Sequence, residues 1–272
     1  MILFEIQYSD LQTFTSILIH HNLNIKGLRD IHVFNLIQKL LHHYKFHNTE
    51  TLFERLNTNP DLIQTCREML CMTTGEFFRD ISLWIQLKTI TKKLSAKDNI
   101  NILFPRIATG EELYSLLIFL QEHHLLEKTT IHATEICSYV LEQAKRATYA
   151  LKTLENSHKI YQEIGFSQPL LEYFDVSGNV ATLKPYLTAN CFFSVQSIEN
   201  ILPHSTEYDI IWYRNQLIYW EQKTAEKHLT QITQNLKKGG YLILGYTENL
   251  DIYPIVSNFE LVSFEDKIYT KK

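Results

Sequence analysis

Residues 208–220 read YDIIWYRNQLIYW, and this stretch decides the fold. Its first half is an apolar run that predicts a buried strand, and the polar pair Arg214-Asn215 follows where the strand ends. A helical pattern comes next, and residues 237–245, KKGGYLILG, then predict a further strand. Because ligands of open α/β sheets lie beyond the carboxyl ends of the strands, Arg214, Asn215 and Tyr219 are candidate functional residues.

The segments upstream of this stretch also alternate between strands and helices. Residues 99–105 and 129–135 predict buried strands, and residues 111–124 and 137–149 predict the helices that follow them. Such alternation indicates a parallel, doubly wound sheet of the α/β class. Residues 259–269 have the pattern of an antiparallel hairpin that completes this sheet.

Two parts of the chain depart from this alternation. Residues 8–72 carry apolar side chains at helical spacing and show no strand pattern, so they predict a small helical bundle. Between about residues 159 and 191 the alternation breaks down, which predicts an insertion with short strands. We therefore expect a helical N-terminal domain over residues 1–80 and an α/β domain over residues 81–272.

The composition argues against several classes of protein. The 272 residues carry a formal net charge of −4, whereas a general nucleic-acid binder is usually basic. No apolar run approaches the ~20 residues that span a bilayer, and the first residues lack the features of a signal peptide. The four cysteines are scattered, and the twelve histidines show no metal-ligand spacing. We predict a cytoplasmic protein with reduced thiols and no metal, nucleic-acid binding or membrane insertion.

Residues 107–115, IATGEELYS, follow the first predicted strand of the sheet and open a helix. A turn at Thr109 and Gly110 would let a nucleotide-like cofactor approach the N–H groups of a helix N-terminus. The alternative is an ordinary helix start at which Glu111 and Glu112 complement the helix dipole. These residues alone leave both interpretations open.

Glu135 closes the next predicted strand, in the sequence ATEI. In Rossmann-like folds an acid at this position accepts hydrogen bonds from the ribose hydroxyls of a cofactor. The alternative is a solvated strand end with no ligand.

Five blocks of the sequence, in order, resemble motifs of the chemotaxis receptor methyltransferases, the CheR family. FFRD at 77–80 resembles its FFRE/D, and TGEELYS at 109–115 resembles its TGEEPYS. ATEI at 133–136 is similar to its ATDI, RNQLIY at 214–219 to its RNVLIY, and GGYLILG at 239–245 to its GGYLFLG. The resemblance covers nearly the whole chain, so it implies the family's Rossmann-like class I methyltransferase sheet and a β-subdomain that docks on receptors.

The resemblance also implies an activity: methylation of glutamate side chains in chemotaxis receptors or a receptor-like protein. The cofactor would be S-adenosyl-L-methionine, with S-adenosyl-L-homocysteine as the product. Arg79 would hold the substrate carboxylate, and Tyr219 would border the transferred methyl group. The residues implied to hold the cofactor are Thr109, Gly110, Glu111, Glu135, Ser197 and Asn215.

Several positions depart from the family motifs. Arg106 stands where the family has a Gly that lets the cofactor approach the backbone. Its side chain could block the methionine part of the cofactor, or it could turn outward and pair with the cofactor carboxylate. Thr73, Gly75 and Ser197 replace an Asn, a Thr and an Asn of the family. A catalytically degenerate relative that acts as a binding or regulatory module is therefore the alternative function.

Overall fold

The computed structural model describes residues 4–71, 75–201 and 206–272. The chain divides into two compact units. The helical unit comprises Met1–Thr73 together with Tyr219–Ala225, and the sheet unit comprises Thr74–Ile218 together with Glu226–Lys272.

The helical unit is a bundle whose helices enclose their own apolar core. Phe14, Leu18 and Ile37 are among its fully buried side chains. The Asn48 side chain accepts the N–H of Thr51 at 3.0 Å and so caps the third helix. The helices are α1 (Tyr8–His20), α2 (Asp30–Tyr44), α3 (Thr49–Thr58) and α4 (Pro60–Cys71).

The sheet unit contains a mixed sheet that is seven-stranded within the described residues. Its strands are β1 (Ile100–Phe104), β2 (Thr129–Glu135), β6 (Cys191–Val195), β7 (Tyr208–Trp212), β8 (Leu236–Ile243), β9 (Phe259–Ser263) and β10 (Ile268–Lys271). The strand order is β6-β2-β1-β7-β8-β10-β9, with β10 antiparallel to both of its neighbours. This arrangement confirms the predicted doubly wound α/β sheet and its terminal hairpin.

The helices of the sheet unit connect these strands and cover an apolar core around Trp84, Phe119 and Trp212. They are α5 (Ile81–Leu94), α6 (Glu111–Glu122), α7 (Ser138–Arg146), α8 (Leu151–Ile164) and α9 (Gln222–Thr233), whose first turn belongs to the helical unit. In the ranges that the structure describes, none of the helices combines the length and the apolar character needed to cross a membrane.

The strand order reverses between β1 and β7, which are parallel neighbours. The chain leaves β1 towards β2 on one side, and it later returns to β7 on the other side. At such a switch point the connections diverge and leave a crevice beyond the carboxyl ends of the strands. The loops that follow β1, β2, β6 and β7 lie at these carboxyl ends and are therefore the candidate ligand-binding loops.

The inserted strands begin earlier in the chain than the predicted range of 159–191. A second, small sheet has the order β3-β5-β4 and is formed by β3 (Thr148–Ala150), β4 (Phe174–Ser177) and β5 (Val180–Leu183). The predicted helix over 137–149 ends at Arg146 because Ala147 takes a left-handed conformation, with φ 49°. A three-residue strand is too short for its periodicity to distinguish it from a helix end.

The boundary between the two units lies before the FFRD motif and not after residue 80, where the sequence placed it. Phe77 and Phe78 are fully buried in the core of the sheet unit, where Phe78 packs against Trp84 and Tyr161. Aromatic side chains of this size are strong anchors for a segment. The motif therefore belongs to the sheet unit.

Candidate cofactor and substrate site

The loops at the carboxyl edge of the sheet are joined by backbone hydrogen bonds. The N–H of Ile107 donates to the Thr134 carbonyl at 3.1 Å, and the N–H of Gln196 donates to the Glu135 carbonyl at 2.9 Å. The loop after β1 and the loop after β6 are thus both attached to the end of β2. The structure brings the sequence-predicted residues Thr109, Gly110, Glu111, Glu135, Ser197 and Asn215 to this edge.

Gly110 makes the turn that starts α6, and only glycine suits it. Its φ is +95°, and a Cβ built at this position would lie 2.6 Å from the ring of Tyr114. The Tyr149 hydroxyl donates to the Thr109 carbonyl at 2.7 Å and holds the turn from the small-sheet side. The turn is therefore fixed on two sides before any ligand is present.

Glu111 lies beneath this turn and is buried, which raises the pKa of its carboxyl group. One of its oxygens accepts the Thr109 hydroxyl at 2.5 Å. A Cβ on Gly75 would lie 2.6 Å from the same oxygen, so a side chain at position 75 would collide with Glu111. The structure thus gives a packing reason for Gly75. The other departure in this motif, Thr73, lies outside the described residues.

Glu135 is wholly buried and is surrounded by donors from the protein itself. Its Oε2 accepts the N–H of Ala108 at 3.1 Å, and its Oε1 accepts the N–H groups of Ile136 at 2.8 Å and Cys137 at 3.4 Å. The Nε of Arg106 lies 3.3 Å from Oε1, with 12% of the Arg106 side chain exposed.

The structure therefore gives Arg106 an arrangement that neither sequence-based alternative contained: an ion pair with Glu135. A carboxylate offers about four lone-pair positions; three backbone N–H groups occupy three of them, and the Arg106 guanidinium lies beside Oε1 as a counter-charge. A ribose hydroxyl that binds Glu135 would have to share the carboxylate with these groups and would compete with the Arg106 ion pair. Of these groups, Arg106 can move away most readily, because it is a side chain and the hydrogen-bond donors are backbone groups.

The FFRD segment is tied to the start of α6 through Ser115. The N–H of Phe78 donates to the Ser115 hydroxyl at 2.9 Å, and that hydroxyl donates to the Glu111 carbonyl at 2.7 Å. The next residue, Arg79, keeps 38% of its side chain exposed, and its Nε lies 3.5 Å from the largely exposed carboxylate of Glu76. The backbone around Arg79 is fixed, whereas its guanidinium remains accessible to solvent.

Arg214, which the sequence singled out with Asn215, has a structural role. Its guanidinium is buried and forms ion pairs with Asp80 and Glu112, while its Nε donates to the Leu244 carbonyl at 3.3 Å. Although burial lowers the pKa of Arg214, the two carboxylates raise it above its ordinary value. The guanidinium is thus engaged on all sides and joins the FFRD segment, α6 and β7.

Asn215 has a left-handed backbone, with φ 54°, and is held by a residue that the sequence interpretation missed. Glu248 is buried and accepts the N–H groups of Asn215 at 2.9 Å, Leu217 at 2.6 Å and Gly245 at 2.6 Å. The signal in the sequence was an acid a few residues beyond a strand end, in GYTEN. Glu248 fixes the loop that presents Asn215.

Ser197 precedes a 3-10 helix, Ile198–Asn200, that is anchored to α9. His228 Nε2 lies 3.3 Å from the Glu199 carboxylate, and the hydrogen bond with His228 lowers the pKa of Glu199 to about 2. Ser197 therefore sits on a positioned segment beside the end of β2.

Tyr219 belongs to the helical unit. There its carbonyl accepts the N–H of Arg29 at 3.0 Å, and its ring centre lies 4.8 Å from that of His32. Its predicted place beside a methyl group stays a prediction.

Two buried hydroxyls at the carboxyl edge are available to a polar ligand. Thr134 Oγ1 near the end of β2 and the Tyr213 hydroxyl after β7 have no hydrogen-bond partner in the part of the chain that the structure describes. Buried polar groups are normally satisfied, so these atoms are potential contacts for a bound molecule. With the Gly110 turn they fit a nucleoside cofactor. Among the described residues, no group of three or more His, Cys, Asp or Glu side chains could hold a metal ion.

Comparison with known proteins supports this interpretation of the edge. Residues 73–267 match the family model described as the CheR methyltransferase, SAM binding domain. The chain is 27% identical to the Pseudomonas putida protein Cher3 over 221 residues, which cover 81% of each protein. It is 28% identical to chemotaxis protein methyltransferase 1 of Pseudomonas aeruginosa, covering 80% of this chain and 81% of that protein. It is 23% identical to the chemotaxis protein methyltransferase of Campylobacter jejuni, covering 87% and 86%.

The family match spans well over half of the chain, including the loops after β1, β2, β6 and β7. The sheet has the class I methyltransferase fold that the sequence predicted, and its cofactor is S-adenosyl-L-methionine. The chain belongs to the CheR methyltransferase family.

Proposed function

We propose that this protein transfers a methyl group from S-adenosyl-L-methionine to the side-chain carboxylate of a glutamate in a chemotaxis receptor or a receptor-like protein, in the cytoplasm. Membership of the CheR family supports methyl transfer. The observation that carries the choice of a carboxylate acceptor is the exposed guanidinium of Arg79.

The three arginines of the site differ in what they are able to bind. Arg214 is engaged by Asp80 and Glu112, and Arg106 is paired with the buried carboxylate of Glu135. Within the described residues, Arg79 has only the weak, exposed pair with Glu76, which stabilises the protein little and exchanges readily with another carboxylate. Its planar guanidinium can bind an incoming carboxylate with two parallel hydrogen bonds.

Methyl transfer to a carboxylate requires little of the protein beyond positioning the methyl donor and the acceptor. The cofactor supplies an electrophilic methyl group on a sulfonium centre. A glutamate side chain has an ordinary pKa of about 4.3, so it is already ionised at neutral pH and needs no general base. Arg79 would orient the carboxylate for in-line attack, and the anchored Phe77 and Phe78 would keep the Arg79 backbone in place. Orientation and loss of water around the carboxylate would then account for the catalysis.

Replacement of Arg79 by alanine tests this assignment. We expect methylation of a chemotaxis receptor fragment, followed with labelled S-adenosyl-L-methionine, to fall by about 100-fold because the carboxylate loses its orienting partner. The dissociation constant for S-adenosyl-L-homocysteine, measured by calorimetry, should stay within about threefold of wild type.

Arg146→Ala is the matched control, because Arg146 is an exposed arginine at the end of α7 and should tolerate replacement in both assays. If Arg79→Ala methylates the receptor as fast as wild type, the substrate-binding role is wrong. If methylation and cofactor affinity fall by the same factor, Arg79 serves the cofactor instead.

One observation favours the second candidate function, a catalytically degenerate module with a binding or regulatory role. The ion pair between Arg106 and Glu135 engages the acid that would receive the ribose. In such a module the pair would remain closed, and wild-type protein would release no heat with S-adenosyl-L-homocysteine at millimolar concentration. Measurable binding together with methylation of the receptor fragment would reject this candidate.

A further inference from the structure

Tyr213 follows β7 directly and continues its ladder, because its N–H donates to the Ile243 carbonyl at 2.9 Å. Successive side chains along a strand point to opposite faces of a sheet. The Trp212 ring packs on Trp84 and Phe104 in the core, so the Tyr213 side chain lies on the other face. It is fully buried there, among the loops of the carboxyl edge.

Charged residues from several loops act on the Tyr213 phenol. Burial raises its pKa, Glu248 raises it further, and Arg106 opposes the rise. Glu199 also contributes. Glu248 lies in the loop after β8, Arg106 in the loop after β1, and Glu199 in the segment after β6. The hydroxyl therefore lies where three loops converge, and it is a neutral hydrogen-bond donor at physiological pH.

The charged neighbours of Tyr213 are already committed to other partners. Glu248 accepts backbone N–H groups from the Asn215 loop, Arg106 pairs with Glu135, and Glu199 pairs with His228. The Tyr213 hydroxyl itself has no hydrogen-bond partner within the described residues. Leaving a buried donor unsatisfied is costly, so such a group at a ligand-binding edge is a candidate to bond a ligand.

We propose that the Tyr213 hydroxyl donates a hydrogen bond to the nucleoside half of the bound cofactor, which makes Tyr213 a cofactor-binding residue. The nucleoside is the half that fits, because the Tyr213 phenol is near enough to Arg106, the partner of Glu135, and to Glu199, two residues beyond Ser197, for both to act on it. The resemblance assigns ribose and adenine contacts to Glu135 and Ser197. Cofactor binding is the only part of the proposed function on which this assignment rests.

The test is Tyr213→Phe, which keeps the ring and removes only the hydroxyl. We expect the dissociation constant for S-adenosyl-L-homocysteine to rise about tenfold. The dissociation constant for adenosine should rise by the same factor, because adenosine carries the contacted half of the cofactor. The melting temperature of the ligand-free variant should equal or exceed that of wild type, since an unsatisfied buried group has been removed.

Tyr208→Phe is the matched control. Tyr208 begins the same strand, β7, at its opposite end, and its hydroxyl is 2.7 Å from His132 Nδ1. This substitution should lower the melting temperature and leave both dissociation constants unchanged.

Three results would overturn the assignment. The first is affinity of Tyr213→Phe for both ligands within twofold of wild type. The second is a fall in the melting temperature of the ligand-free Tyr213→Phe variant as large as that of Tyr208→Phe, because the hydroxyl would then be bonded within the protein. The third is weaker binding of S-adenosyl-L-homocysteine with unchanged binding of adenosine, which would place the contact on the methionine half. Absence of receptor methylation alongside the expected affinities would contradict only the proposed function.

Discussion

Arg106→Gly tests the role of the Arg106–Glu135 ion pair most directly. It removes one member of the pair and restores the residue of the family motif. In the structure Arg106 holds Glu135, the acid expected to receive the ribose. The substitution should therefore have two effects of opposite sign. It should destabilise the ligand-free protein, and it should strengthen cofactor binding.

The magnitude follows from the surroundings of Glu135. Removing one partner of a buried pair costs about 3–5 kcal/mol when the remaining charge is left alone. Here three backbone N–H groups still bind the carboxylate, so we expect a loss of about 1–3 kcal/mol in the free energy of unfolding. If opening the pair costs wild type about 1–2 kcal/mol on binding, the variant should bind S-adenosyl-L-homocysteine about 5–30 times more tightly.

Calorimetry with S-adenosyl-L-homocysteine and urea unfolding of the ligand-free protein measure the two effects. Arg106→Lys is the conservative control, because it keeps the charge and should bind with an affinity between wild type and the glycine variant. In a Glu135→Gln background, Arg106→Gly should no longer change the affinity, since the ion pair is already absent. Equal or weaker binding by Arg106→Gly with Glu135 intact would refute the reasoning, because Arg106 would then contribute to the cofactor complex.

Two further predictions concern the residues that support the site. Arg214→Met should lower the free energy of unfolding by about 3 kcal/mol in urea titrations, because it leaves the two carboxylates around Arg214 without a cation; a loss below about 1 kcal/mol would argue against a structural role. The pKa of Glu199 is lowered to about 2 from 4.5, so its stabilising contribution is present above pH 4.5 and is lost as the pH falls towards 2. Since 41% of this side chain is exposed, we expect roughly 1 kcal/mol. Glu199→Gln should lose correspondingly less stability than wild type between pH 6 and pH 3, and identical losses would contradict the assignment.

The sequence predicted the sheet and the positions of its functional loops for a clear physical reason. Each strand is a short apolar run, each helix has its own periodicity, and the polar motifs stand at the strand ends. These are local properties of the chain. The order of the strands places those motifs at one edge, so the grouping of Thr109, Glu135 and Asn215 followed from the topology.

The sequence could not predict how the polar side chains pair, because that depends on distances between separate loops. Arg214 was expected to face a ligand, and it is engaged by Asp80 and Glu112. Glu248 was not singled out, although it organises the Asn215 loop. Such ion pairs and hydrogen bonds depend on the positions of the polar atoms at the ends of the side chains. A change of one residue in the length of a turn moves those atoms.

The backbone conformations at the site also could not be predicted from the sequence. Phe78, Asp80, Ala108 and Asn215 all have positive φ values between 48° and 58°. Side chains disfavour this region, most strongly when they are bulky, and strain of about 1–3 kcal/mol per residue persists only where the surroundings enforce it. The buried rings around Phe78 and the hydrogen bonds of Asp80 and Asn215 provide such enforcement.

The pairing of Arg106 with Glu135 changes how the departures from the family motifs should be weighed. Arg106 stands where the family has Gly, Glu135 stands where it has Asp, and the two side chains are in direct contact. An arginine at position 106 in an apolar pocket, with no acid beside it, would be a defect. Beside a buried carboxylate it supplies a counter-charge, and Glu135 contacts Arg106 with one oxygen and accepts the Ala108 N–H with the other. The two departures from the motifs therefore compensate each other in the ligand-free protein. The ion pair has a cost only when the cofactor binds, because it must then open.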